Sequence, residues 1–211
     1  VPPAGVRLVS PPSRATVPSH VMVTTYEYNS LGQPIAKNTP DGGTTTFYYD
    51  AKQRLRFSQD ARQAALYPQR YSYQQYDSLS RVVESGEAME YTSMYVAVEN
   101  FRTLVDTMNY PVRGKTEWTK TTYTTQTGLH YLHDDTSTVR AQRHLRNRVS
   151  SRKTYQGVET VYSYDPHGNV AWVYQNLPGL GENYIGYEYD LISNRVKQVL
   201  YDANHGDQFY Q

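Results

Sequence analysis

The chain has 211 residues and no cysteine, and its 21 Lys and Arg nearly balance its 20 Asp and Glu for a net charge of +1. Disulfides, thiolate metal sites and a cysteine nucleophile are excluded, and so is the basic footprint that a nucleic-acid backbone requires. No apolar run is long enough for a membrane-spanning helix, and no signal peptide opens the sequence, so any export signal is expected outside these residues.

Leu, Ile, Val and Phe are scarce, while 22 tyrosines supply apolar area that the aliphatic residues do not. Tyr, Val and Thr fit a pleated, half-buried surface, so the composition predicts a mostly all-β chain. Residues 1–19 (VPPAG, SPPSR, VPSH) form a Pro-rich lead suited to an irregular entry, with the first strand predicted near Val21.

From residue 20 to 86 a pattern recurs: TYEYNSLGQP around Tyr28-Asn29, FYYDAKQRL around Tyr49-Asp50 and QQYDSLSRV around Tyr76-Asp77. It returns later as YSYDPHGNV around Tyr164-Asp165 and YEYDLISNRV around Tyr189-Asp190. Self-similarity at roughly 20 to 30 residues marks a repeat architecture, in which one unit cannot bury its own apolar face. In Tyr26-Glu27-Tyr28, Tyr162-Ser163-Tyr164 and Tyr187-Glu188-Tyr189, the two rings share one strand face and the middle residue takes the other. This predicts a buried tyrosine face and a wet face. Asx followed three residues later by Gly, as in Asn29 to Gly32 and Asp165 to Gly168, matches a type I turn with a left-handed exit. Each unit therefore reads as a β-hairpin. Gln53, Ser80 and Ser193 stand where Gly is expected. A left-handed backbone there would cost about 1 kcal/mol, unless the turn is of another type; in the last unit Asn194 is the residue suited to it.

Residues 87–113 break the pattern. Apolar positions at steps of three and four predict a short helix over residues 98–108, ending before Pro111. From residue 114 to 211 repeats resume, opening with the Thr-rich strand EWTKTTY. An enlarged polar loop near 125–144 follows, and Leu145-Arg146-Asn147-Arg148-Val149 then echoes Ile192-Ser193-Asn194-Arg195-Val196. Residues 123–149 read as a degenerate repeat with an enlarged tip. The sequence is expected to stop inside a repeat, so that neighbouring repeats or another chain would cover exposed strand edges.

The five Tyr-Asp or Tyr-Asn units resemble the RHS/YD repeats of large exported bacterial proteins, similar to toxin-complex shells and teneurins. The resemblance covers about residues 20–86 and 114–211. It implies antiparallel hairpins wound into a spiralling sheet, a wall segment of a hollow shell that encloses a C-terminal toxic cargo. The repeat-signature residues are Tyr26, Tyr28, Asn29, Gly32, Tyr49, Asp50, Tyr76, Asp77, Tyr162, Tyr164, Asp165, Gly168, Tyr187, Tyr189 and Asp190. Expected partners are adjacent repeats, an enclosed toxin domain and secretion machinery, with no nucleic acid and no membrane insertion. The expected location is secreted or at the bacterial surface. The alternative is a surface adhesin whose exposed Tyr and Trp rows bind glycan or a partner protein.

Chemistry is read as absent. His130, His133, Asp134 and Asp135 have metal-ligand residue types but fall in a solvated loop, and Asp202 to Asp207 lacks the geometry of a calcium loop. Asp165-Pro166-His167-Gly168 resembles half of the paired self-cleavage motif of RHS proteins, but it occurs once and inside an ordinary turn. No serine elbow or phosphate loop appears. The expectation is a non-enzymatic chain with no cofactor and no metal, and no ligand-binding residues can be assigned.

Overall fold

The structure, a computed structural model, describes residues 23–90, 110–112, 114–127, 130–132, 135–203 and 208–209, as backbone alone at 90, 130–132, 135–140, 202–203 and 208–209. The chain is all-β apart from one short helix among the described residues, and it divides into two compact units.

The first unit contains β1 (Thr25–Tyr28), β2 (Pro34–Thr39), β3 (Gly43–Tyr49), β4 (Leu55–Gln59), α1 (Ala61–Ala65) and the opening residues of β5 (Gln69–Tyr76). Neighbours in sequence are neighbours in the ladder, and the strands pair antiparallel. The helix is seeded by a capping box: Asp60 accepts from the Gln63 N–H at 2.7 Å, and Gln63 Oε1 accepts from the Asp60 N–H at 3.1 Å. It falls within the run read from sequence as uninterrupted repeats. The core here is small, with Phe57 edge-on to Tyr71 at 5.5 Å and the buried Arg56 guanidinium near the Phe57 ring.

The second unit takes the last residues of β5 and continues through β6 (Val82–Glu90) as far as Ala88, then β7 (Lys115–Tyr123), β10 (Val149–Thr154), β11 (Glu159–Tyr164), β12 (Val170–Leu177), β13 (Gly181–Tyr189), β14 (Val196–Ala203) and β15 (Gln208–Phe209) in ladder order. Between β7 and β10 the chain makes a separate two-stranded ribbon, β8 (His130–Leu132) with β9 (Asp135–Arg140). Tyr73, Ala88, Val161, Trp172 and Leu145 are buried in this unit. Tyr73 donates to Glu84 Oε1 at 2.8 Å, and Lys115 Nζ meets the same oxygen at 2.6 Å, so β5, β6 and β7 share one buried polar cluster. Burial, reinforced by Glu84, pushes the Tyr73 phenol far above its ordinary range. Gly86 is required by close approach: a Cβ there would meet Trp118 Cα at 2.8 Å, where the β6–β7 register shifts.

Several expectations change. Among the described residues the first strand opens at Thr25, with Val21 outside them, and β6 runs to Glu90, through the start of the segment read as an insertion from 87. The helix predicted over 98–108 lies outside the described residues. The single buried tyrosine face does not hold throughout. It fits β13, where Tyr187 and Tyr189 are half-buried and Glu188 is exposed. In β11 the order reverses: Val161 and Ser163 are buried and Tyr162 and Tyr164 are half-buried. The reason is local. The Gln142-Arg143 arm lies on the Ser163 side, where the Arg143 N–H donates to Ser163 Oγ at 2.9 Å.

Candidate functional site: the Tyr-Asp corners

Each unit turns at its Asp or Asn through the same hydrogen bonds. In the first, the Gly32 N–H donates to Asn29 O at 3.0 Å and the Asn29 N–H to Gln33 O at 2.9 Å. The Asn29 side chain accepts from the N–H groups of Leu31 at 3.0 Å and Gln33 at 2.9 Å. Gly32 sits at φ +77°. This is a type I turn closed by a left-handed residue, the geometry of a three-residue hairpin loop with a bulge. The corner at Asp50 repeats it with Gln53 at φ 64°, and the corner at Asp77 repeats it with Ser80 at φ 63°. The non-glycine residues therefore accept the left-handed cost instead of changing the turn. Asp165 accepts from the Gly168 N–H at 2.7 Å and the Asn169 N–H at 2.9 Å. At Asp190 the loop is one residue longer, and Asn194 takes the left-handed position at φ 56°.

A second recurring feature was missed in the sequence: the residue four after the acid. Arg54 donates through Nε to Asp50 Oδ2 at 2.7 Å, Arg81 does the same to Asp77 at 2.7 Å, and Asn169 Nδ2 donates to Asp165 Oδ2 at 2.9 Å. The Asp-x-x-x-Arg spacing at 50–54 and 77–81 was the available signal.

Burial works against charge at Asp77 and Asp165, but the hydrogen bonds outweigh it: those from Arg81 and Leu79 hold Asp77 below the usual carboxylate range, and those from Asn169 and Gly168 do so for Asp165. Asp190 is lowered chiefly by its bonds from Ser193 and Ile192.

At four of the six corners the preceding tyrosine has a separate task. Tyr49 donates its hydroxyl to Pro34 O at 3.0 Å, Tyr123 to Val82 O at 3.1 Å, Tyr164 to Val149 O at 2.9 Å and Tyr189 to Val170 O at 3.0 Å. Each accepting carbonyl belongs to the residue that opens the return strand of the preceding hairpin. The register is the same in all four: the residue three before the tyrosine pairs with the residue two after the acceptor, as Thr46 with Ala36, Lys120 with Glu84, Val161 with Ser151 and Gly186 with Trp172. We call this bond the corner clasp. Burial raises the phenol pKa of Tyr49, Tyr164 and Tyr189, which keeps the proton that the clasp donates. Arg81 lies over the Tyr123 ring at 4.4 Å and Arg148 over the Tyr164 ring at 5.3 Å, so the basic arm of one corner also caps the next ring.

The remaining signature residues occupy lesser places. Tyr26 and Tyr28 stack at 6.2 Å and are 48% and 59% exposed. Tyr76 donates to Gln74 Oε1 at 2.6 Å. Tyr162 and Tyr187 are half-buried.

The degenerate repeat retains the corner without its Asp. The Thr124 N–H donates to Arg148 O at 3.0 Å, the Arg148 N–H donates to Leu145 O at 2.9 Å, and Asn147 is left-handed at φ 58°. Thr124 and Arg148 thus stand where Asp50 and Arg54 stand, with residues 125–146 spliced between them. Gln142, on the returning arm, donates to Ser150 O and Tyr162 O, both at 2.8 Å, bridging β10 and β11 one residue beyond the ladder pair Ser151–Val161.

No group of three or more His, Asp or Glu capable of holding a metal occurs among the described residues. The side chains of His130, His133, Asp134 and Asp135, and the 202–207 loop, lie outside those described. His167 and Asp165 approach only to 4.0 Å, at the tip of an ordinary corner.

No known protein family matches the chain, and no curated protein does. Among solved structures it is similar to a chain in the crystal structure of TcdB2-TccC3-Cdc42, at 13% identity and a TM-score of 0.26, over 84% of this chain and 11% of that one. It is also similar to TcdB2-TccC3 without its hypervariable C-terminal region, at 12% identity and a TM-score of 0.25 over the same shares. The chain therefore spans 11% of the solved chains it matches.

Proposed function

We propose that this chain is a non-enzymatic wall segment of an RHS-type exported protein, whose stacked hairpins help enclose a C-terminal toxic cargo. The observation that carries the reading is the corner clasp, repeated at Tyr49, Tyr123, Tyr164 and Tyr189 in one register. A motif that serves a ligand would leave its polar groups free. Here the Asp closes its own hairpin and the Tyr hydroxyl ties it to the one before, so the signature is consumed in extending a sheet. The adhesin alternative is disfavoured by the same fact, since these phenols are committed internally.

The test is limited proteolysis of the natural full-length product. The domain following the repeats should resist digestion in the wild type and become sensitive in a Tyr164→Phe, Tyr189→Phe double variant. Equal sensitivity in both would count against enclosure.

A further inference from the structure

In three corners the arm, the residue that follows the left-handed one, also reaches the left-handed residue of the next corner. Gln33 accepts from Asn29 Nδ2 at 2.9 Å and donates through Nε2 to Gln53 O at 3.0 Å. Asn169 donates to Asp165 and, at 2.7 Å, to Asn194 Oδ1, while Asn194 Nδ2 returns a bond to Asn169 Oδ1 at 3.3 Å. Arg148 is the arm of the degenerate repeat, and its Nη2 lies 2.6 Å from the point that a Cβ on Gly168 would occupy. Its Nη1 donates to His144 O at 2.6 Å, and its guanidinium lies over the Tyr164 ring. Both partners of each contact belong to one compact unit. Gln53, Gly168 and Asn194 close their turns with φ values of 64°, 101° and 56°, so turn geometry alone does not decide which residue type stands where. The arms do distinguish them. The carbonyl that Gln33 takes is present in every residue type, the Asn169 link needs a carboxamide on both sides, and the Arg148 guanidinium fills the space where a side chain on Gly168 would lie.

We propose that the arm of one corner selects the left-handed residue of the next, so that neighbouring hairpins are matched pairs with a fixed order. A hairpin stacked on the wrong neighbour either brings a side chain against a guanidinium or leaves an amide without its partner, and both penalties act against the wrong order. The clasp does not discriminate in this way, because its acceptor is a main-chain carbonyl. Hairpins with nearly the same turn are therefore not interchangeable, and a repeat can be moved only together with the arm before it. The proposal rests on contacts between corners and not on enclosure of a cargo, so its failure leaves the wall reading standing.

Two double-mutant cycles followed by urea unfolding test it. Part of the cost of Gly168→Ala is the left-handed backbone, and that part is the same with or without Arg148. The guanidinium is the end of a flexible side chain and can swing aside, but only by giving up His144 O. Gly168→Ala should therefore lower the folding equilibrium constant about fivefold more with Arg148 present than in an Arg148→Ala background, the worth of one hydrogen bond. The second cycle uses exposed residues of another corner and stays readable if Gly168→Ala does not fold. Asn194→Gly relieves left-handed strain but removes the amide partner, so it should destabilise the protein while Asn169 is present and cease to do so in an Asn169→Ala background. An equal cost of Gly168→Ala in its two backgrounds, or an equal effect of Asn194→Gly with and without Asn169, would overturn the proposal.

Discussion

A phenol hydroxyl, a carboxylate and one left-handed residue carry most of the specification in each repeat. Gln53 at φ 64° and Ser80 at φ 63° occupy positions that glycine adopts freely. Gln53→Gly and Ser80→Gly are each expected to raise stability by about 1 kcal/mol, read by urea unfolding. Tyr189→Phe removes the donor to Val170 O and should cost about 1 kcal/mol by the same measurement. The turn chemistry was legible in the sequence because Asx and Gly encode it through local bonds. The clasp was not, because its acceptor is a backbone carbonyl in another hairpin, and every residue type carries one. The left-handed role of Asn194 could be read for the opposite reason: Asn is among the few residues that tolerate it.

Among elements, the strands and their meander order followed from the alternating Tyr and Thr segments, while the departures arose where a neighbour altered a face. Ser163 is a polar residue that alternation with two tyrosines assigns to solvent. It is 1% exposed because the arm carrying Gln142 and Arg143 lies against it, a contact set by an inserted loop with no periodicity of its own. Gln142→Leu would leave Ser150 O and Tyr162 O without that donor, and a loss of about 2 kcal/mol is expected in thermal or urea unfolding. Gly86→Ala meets backbone at Trp118, which cannot swing aside like a side-chain tip, and should cost about 1 to 3 kcal/mol. The α1 helix had a readable signal in Asp60 and Gln63, but the surrounding repeat pattern masked it.

For the whole molecule, acid is the revealing perturbant. The folded pKa values of Asp77, Asp165 and Asp190 lie below the ordinary 3.8. Their contribution is therefore complete above that value and is lost as pH falls through the lower folded values. Stability followed downward from neutral pH should stay level until about pH 4 and then drop, and an Asp77→Asn, Asp165→Asn variant should show a shallower drop. The described interior is rich in polar groups, with Arg56, Gln59, Gln75, Glu84 and Gln142 all buried, so the fold relies on satisfied hydrogen bonds as much as on apolar area.

Between Thr124 and Arg148 the chain departs from a hairpin and returns to it, and the closing bond at 3.0 Å survives the detour. Length added at such a gateway reaches neither the ladder nor its register. Foreign peptide can therefore be grafted between Thr124 and the Gln142 arm while the scaffold keeps its dimensions.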